Sequence, residues 1–103
     1  MSTLIITLPR EITGRAGARH LVPNRGEQDI VLDASATTRV APAAADSLVQ
    51  ALLRAAPQRV IVVNAAAGIG RTLRLVHRSR ATPERSFLMT FRDVPAEALL
   101  RSV

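Results

Sequence analysis

The stretch DIVLDASATTRVAPAAADSLVQALLRAAPQRVIVVNA, residues 29–65, decides the fold of this chain. The apolar run at 29–33 and the β-branched run at 59–63 are both typical of buried parallel strands. Between them, residues 42–57 predict a helix bounded by two prolines, because their apolar positions form one stripe: Ala45, Leu48, Val49, Leu52, Leu53 and Ala56. Two parallel strands need a crossover, so the stretch predicts a right-handed βαβ unit.

The segment before this unit contains one clear strand and one ambiguous region. The β-branched run at 3–8 predicts a strand that Pro9 closes. The region that follows allows two interpretations, a short helix over 15–22 or an antiparallel strand around 11–13. Residues 24–28 are polar and predict a turn into the strand at 29–33.

The segment after the unit predicts a helix, a strand and a terminal helix. Residues 69–80 are expected to be helical, with an apolar stripe at Ile69, Leu73 and Val76. Residues 86–91 alternate, which predicts a strand with Phe87, Met89 and Phe91 on one face. Asp93 is interpreted as the N-cap of a short helix that runs through Leu100, with Pro95 in its first turn.

Length and composition indicate one small α/β domain over residues 1–103, a mostly parallel sheet of about four strands with helices packed on it. The chain has no cysteine, which excludes disulfides and thiolate zinc sites. We expect a cytoplasmic protein without a membrane segment, because neither a long apolar run nor an export leader is present. The formal charge of +6, carried entirely on the basic side by arginine, favours acidic partners in general.

Residues 65–72, AAAGIGRT, occupy the position that a phosphate-binding loop would occupy between a strand and a helix. Ala65 stands where the first glycine of that motif is needed, and Arg71 replaces its lysine. A dinucleotide-binding interpretation also fails, since Leu73 stands in place of the third glycine. We therefore interpret the glycines as a strand-to-helix turn, and keep nucleotide or phosphate binding by Gly68–Thr72 as an alternative function.

Few residues are candidates for catalysis or metal binding. His20 and His77 have no partner at metal-ligand spacing, and His77 is expected to be neutral and solvent-facing among arginines. Asp33 and Asp46 are the candidate pair of carboxylates, near the carboxyl end of the strand at 29–33. Because no nucleophile or base accompanies them, we expect no catalytic residue, no metal site and no cofactor, and hence not an enzyme.

The predicted third helix carries a basic stripe at i, i+3 and i+7, formed by Arg71, Arg74 and Arg78. Such a stripe is either a solvated face or a docking face for an acidic surface, as in a subunit of a larger complex. Nucleic acid is an unlikely partner, because the chain lacks aromatic residues for base stacking and a basic flexible arm.

The order of these motifs resembles a STAS-type domain, a family that includes the bacterial anti-sigma-factor antagonists and a related STAS-like group. The resemblance extends over roughly residues 3–92 and is carried by four short pieces: Leu32-Asp33 at a strand end, Val40 in the following turn, Ala45-Asp46-Ser47-Leu48 near the helix start, and Val63-Asn64 at the next strand end. It implies a non-enzymatic regulatory module in signalling.

The resemblance also implies a protein partner, of the type of an anti-sigma kinase or other ATPase, bound at the start of the central helix. On the matching positions, the contact residues would be Thr38, Arg39, Ala43, Asp46 and Ser47. In antagonist members, phosphorylation of a serine at this helix start breaks the complex. Here Pro42 and Ala43 replace the serines, so this switch is not expected at those positions.

Overall fold

A computed structural model describes residues 2–23 and 28–101 of the chain. Its elements in chain order are β1 (Thr3–Thr7), β2 (Glu11–Ile12), α1 (Arg15–His20), β3 (Asp29–Asp33), β4 (Arg39–Val40), α2 (Pro42–Ala55), β5 (Arg59–Val63), α3 (Ala67–Arg80), β6 (Leu88–Arg92) and α4 (Ala96–Arg101). The longer strands form one parallel sheet in the order β1-β3-β5-β6, which confirms the predicted small α/β fold.

The sheet separates two apolar clusters because successive side chains along each strand point to opposite faces. On one face, alternate residues such as Ile30 and Val60 share a core with α1, α2 and α3. On the other face, Val31 and Ile61 pack with α4 through Leu99 and its neighbours. The larger core therefore lies under α1, α2 and α3, and the smaller one under α4.

Helix α2 is the most deeply buried helix of the layer, because it packs against both α1 and α3. It begins at Pro42, as predicted, and ends at Ala55, and the next residue, Ala56, caps it in a left-handed conformation with φ 53°. The predicted inward stripe is confirmed, since it is buried at Leu48, Val49, Leu52 and Leu53. Ala56, predicted as the last member of that stripe, is instead exposed as the helix cap.

The ambiguous region before β3 contains both of the predicted alternatives. Helix α1 ends at His20, and β2 precedes it. The antiparallel direction predicted for this strand is wrong, because β2 pairs with β4 in parallel. Both short strands continue the course of parallel neighbours, β1 and β3, and so run in the same direction. The predicted turn at 24–28 falls mostly outside the described residues.

The prediction of a glycine turn before α3 is wrong. The helix already begins at Ala67, so Gly68 and Gly70 are helical residues. The turn is made instead by Asn64, which has φ 58° and whose Nδ2 donates to the Val94 carbonyl at 2.9 Å. Asparagine tolerates this left-handed conformation better than most residues do.

The C-terminal elements follow the prediction with shifted boundaries. Strand β6 starts at Leu88, and the predicted face is confirmed because Phe87, Met89 and Phe91 all pack on the larger core. Helix α4 begins at Ala96, so Asp93 is not its N-cap as predicted. Within residues 2–23 and 28–101, no helix is both long and apolar enough to span a membrane.

Candidate functional site

The start of α2 is held in place by the two short strands beside it. The Thr37 hydroxyl donates to the Pro9 carbonyl at 2.9 Å, and the Ala41 amide donates to the Ile12 carbonyl at 2.9 Å. Ala41 caps the helix without a side-chain hydrogen bond, and the first turn contains no acidic residue. The first amides of α2 therefore lack a side-chain acceptor and carry the positive end of the helix dipole.

Four residues form the accessible part of this region, which we call the α2 start surface: Thr38, Arg39, Pro42 and Ala43. The first three are exposed and Ala43 is half-buried. The Thr38 hydroxyl lies 3.3 Å from the Arg10 carbonyl, to which it donates. Arg39 has no ion-pair partner among the described residues, so its charge faces solvent.

The other two residues predicted for this surface lie elsewhere. Asp46 is beyond the first turn of α2, and its carboxylate accepts hydrogen bonds from Arg80 Nε at 2.7 Å and from Gln50 Nε2 at 2.9 Å. The Ser47 side chain is buried, with 7% of its surface exposed. The structure thus brings together Thr38, Arg39 and Ala43 but leaves Asp46 and Ser47 outside the α2 start surface.

The aspartates considered for catalysis have separate structural roles. Asp33 Oδ1 accepts the Ser35 amide at 3.1 Å, which stabilises the turn after β3. Asp46 joins α2 to α3 through Arg80. Among residues 2–23 and 28–101, no three His, Asp or Glu side chains are grouped so that they could hold a metal ion.

His77 is not the solvent-facing residue that was predicted. Its ring stacks on Phe87 with the centroids 4.3 Å apart, and its Nε2 is buried without a hydrogen-bond partner in the described chain. Burial lowers the pKa of His77 below its usual value of 6.5, because desolvation disfavours the charged imidazolium. Burial against Phe87, just before β6, therefore favours the neutral form of His77, and the neighbouring arginines are not the cause.

The predicted basic stripe of α3 is divided in space. Arg71 and Arg74 line a cavity of about 380 Å³ at the carboxyl ends of β5 and β6, whereas Arg78 does not. Arg92, which the sequence analysis missed, is the third arginine of this cavity, and Asp93 is its acidic residue. The predicted strand ended at Phe91, whereas β6 extends to Arg92. The sequence analysis therefore did not place Arg92 at the carboxyl end of a strand.

Close packing between α3 and β6 shapes the cavity. A Cβ on Gly70 would lie 3.4 Å from the Phe91 ring, and the Arg74 guanidinium carbon lies 4.8 Å from the centre of that ring. The contact is within the range of a cation–π interaction, which holds the Arg74 side chain across the aromatic face. We call this site, with Arg71, Arg74 and Arg92, the basic cavity.

Comparison with known proteins indicates no function for the α2 start surface or for the basic cavity. Comparisons of the chain with protein-family models, with curated proteins and with solved structures gave no match.

Proposed function

We propose that the chain is a non-enzymatic regulatory module of STAS type that binds a protein partner through the α2 start surface. The sequence resemblance over β3, α2 and β5 suggests the class of function. The observation that supports the site is that the first turn of α2 is exposed at Pro42 and partly at Ala43, is uncapped by a side chain and is fixed by the β2–β4 pairing. A surface that is rigid before binding loses less conformational entropy when a partner docks.

The packing of α2 explains why its start is the accessible part of this helix. Its sides are covered by α1 and α3, and its inward stripe is buried. Uncapped amides and the Arg39 guanidinium both favour an acidic group on the partner. By resemblance, the partner is a kinase-like ATPase of the anti-sigma type, and the module acts in the cytoplasm.

Regulation in this module differs from that of the antagonist members it resembles. Pro42 and Ala43 have no hydroxyl group, and the Ser47 hydroxyl is in a buried side chain. Thr38 is the exposed hydroxyl of the α2 start surface. We propose that partner binding here is constitutive or controlled by the partner, rather than by phosphorylation of the helix start.

The experiment is an affinity comparison on a partner captured from the native host. Arg39→Glu reverses the charge of the α2 start surface at an exposed position, so we expect at least tenfold weaker binding with unchanged thermal unfolding. Arg78→Glu is the matched control, because it makes the same charge change on the exposed part of α3. Equal affinity for wild type and Arg39→Glu would refute the α2 start surface.

A second candidate function, small-anion binding, is favoured by the basic cavity. Three arginines contribute to a cavity with one acidic residue, and it lies where parallel α/β sheets bind ligands. Guanidinium groups bind phosphate oxygens in pairs of hydrogen bonds. This candidate does not use a glycine loop, since Gly68 and Gly70 are helical.

Calorimetric titration with pyrophosphate tests the basic cavity. We expect saturable binding that Arg92→Gln weakens at least tenfold, whereas Arg78→Gln leaves it unchanged because Arg78 lies outside the cavity. Binding that is absent, or that both variants reduce equally, would exclude the basic cavity as an anion site.

A further inference from the structure

Three neighbouring cavities on the helical side of the protein share one residue, Arg54. The first, of about 450 Å³, lies beside α1 and the C-terminal half of α2. The second, of about 200 Å³, extends from Arg54 towards the end of α3. The third, of about 190 Å³, extends from Arg54 along α1. Because Arg54 borders all three, the cavities are adjacent and extend from this residue in a branched arrangement, which we call the Arg54 groove.

The Arg54 groove is strongly basic. Its arginines come from α1, α2, α3 and the loop before β6: Arg15, Arg19, Arg54, Arg80 and Arg85. No acidic side chain of the described chain lines any of the three cavities. Of these arginines, Arg80 alone has an ion pair within residues 2–23 and 28–101, with Asp46. Within residues 2–23 and 28–101, the other four arginines of this surface therefore have no ion-pair partner.

Like charges placed together repel one another, and within about 8 Å this repulsion is poorly screened at physiological salt. An acidic ligand relieves the repulsion and adds charge-assisted hydrogen bonds to the guanidinium groups. The branched shape, with arginines on every arm, suits a ligand that carries several negative charges along a chain.

The rest of the lining favours a peptide over a nucleic acid. Ser47, Gln50 and Thr82 contribute polar groups to the lining, and Ala51 and Leu53 are already buried. The apolar residues that stay partly accessible between the arginines are Val22, Pro23 and Ala55. A peptide can bury apolar side chains against these residues. The phosphate backbone of a nucleic acid carries no apolar side chains and cannot do so. No aromatic residue lines the three cavities, so unpaired bases would have no ring on which to stack.

We propose that the Arg54 groove binds an acidic segment of a partner protein, with its carboxylates on the arginines and its small apolar side chains against Val22, Pro23 and Ala55. The groove is distinct from the α2 start surface and does not depend on the STAS-type proposal. Arg54 and Arg85 are the two residues common to the first and second cavities, so they should contribute most.

Fluorescence anisotropy with a short labelled peptide of alternating glutamate and leucine tests the proposal. We expect saturable binding that weakens as salt is raised and that is lost when glutamine replaces glutamate in the peptide. Arg54→Gln and Arg85→Gln should each weaken binding about tenfold, because each removes a charge-assisted contact. The matched control is Arg78→Gln, an exposed arginine outside the groove, which should bind as wild type does.

Three results would overturn the proposal. The first is that the glutamate peptide does not bind. The second is that wild type and both groove variants bind it with equal affinity. The third is that single- or double-stranded oligonucleotides of equal charge bind more tightly than the peptide. Thermal unfolding of each variant is measured alongside. Since Arg54 and Arg85 are exposed and unpaired within the described chain, both variants are expected to fold as wild type does.

Discussion

Arg80 forms an ion pair with Asp46 that joins the end of α3 to the side of α2. Arg80 Nε lies 2.7 Å from Asp46 Oδ1, and Arg80 Nη2 lies 3.2 Å from Oδ2. The same carboxylate accepts a hydrogen bond from Gln50. The arginine side chain is 51% exposed and the aspartate 19%, so water screens part of the attraction. Asp46 is thus engaged in interhelical packing rather than in capping α2.

We expect a coupling of about 1 kcal/mol or less between Arg80 and Asp46, because the arginine is half-exposed. A double-mutant cycle with Arg80→Gln and Asp46→Asn, measured by urea unfolding, gives this value. The Arg59–Asp29 pair, at 2.6 Å with similar exposure, provides a matched cycle and should give a similar result. A coupling of several kcal/mol for Arg80–Asp46 would show that the pair is far less solvated than its exposure indicates.

Leu52→Ala should lower the free energy of unfolding by about 2–5 kcal/mol, because it removes buried methyl groups and leaves a cavity under α2. Leu52 is fully buried, whereas Leu75 on α3 is 56% exposed. Leu75→Ala makes the same chemical change and should cost no more than about 0.5 kcal/mol. Urea unfolding of both variants measures the difference. Similar losses in the two variants would contradict the assignment of the core.

His77 should make stability depend on pH. Its pKa in the folded state is lowered by burial, so between that pKa and about 6.5 the unfolded chain binds more protons than the folded one. The contribution of His77 is complete above about pH 6.5 and is lost as the pH falls towards the folded-state pKa. We therefore expect the melting temperature to fall as the pH is lowered below about 6.5.

The variant His77→Phe keeps an aromatic ring against Phe87 but cannot be protonated. It should flatten the pH dependence of the melting temperature in that window. The exposed His20 is present in both proteins, so it cannot cause a difference between their pH dependences. An unchanged slope in His77→Phe would mean that another group is responsible.

Incubation with ATP and the candidate kinase partner should leave the α2 start unphosphorylated. Pro42 and Ala43 offer no acceptor, and burial of Ser47 keeps a kinase from its hydroxyl. Mass spectrometry of the digested protein tests this directly. A stoichiometric phosphate on Thr38 or Ser47 would contradict the prediction and restore a phosphorylation switch.

Local patterns in the sequence determined the central part of the fold. The apolar stripe of α2, the β-branched run of β5 and the prolines around α2 are properties of residues close together in the chain. Backbone geometry couples such neighbours directly, with periods of 3.6 and 2.0 residues, so the pattern predicts the element. The parallel order β1-β3-β5-β6 then follows from helical crossovers between strands.

Tertiary structure decided the two basic surfaces proposed as binding sites, whereas Thr38, Arg39 and Ala43 of the α2 start surface are close together in the sequence. Arg80 and Asp46 are 34 positions apart, and the Arg54 groove collects arginines from four separate segments. The same is true of the basic cavity, where Arg92 joins Arg71 while Arg78 of the same stripe does not. Helical periodicity specifies which side chains share a face, but not which neighbouring element that face meets. That depends on how helices cross the sheet and on the length of each side chain, which are set by packing over the whole domain.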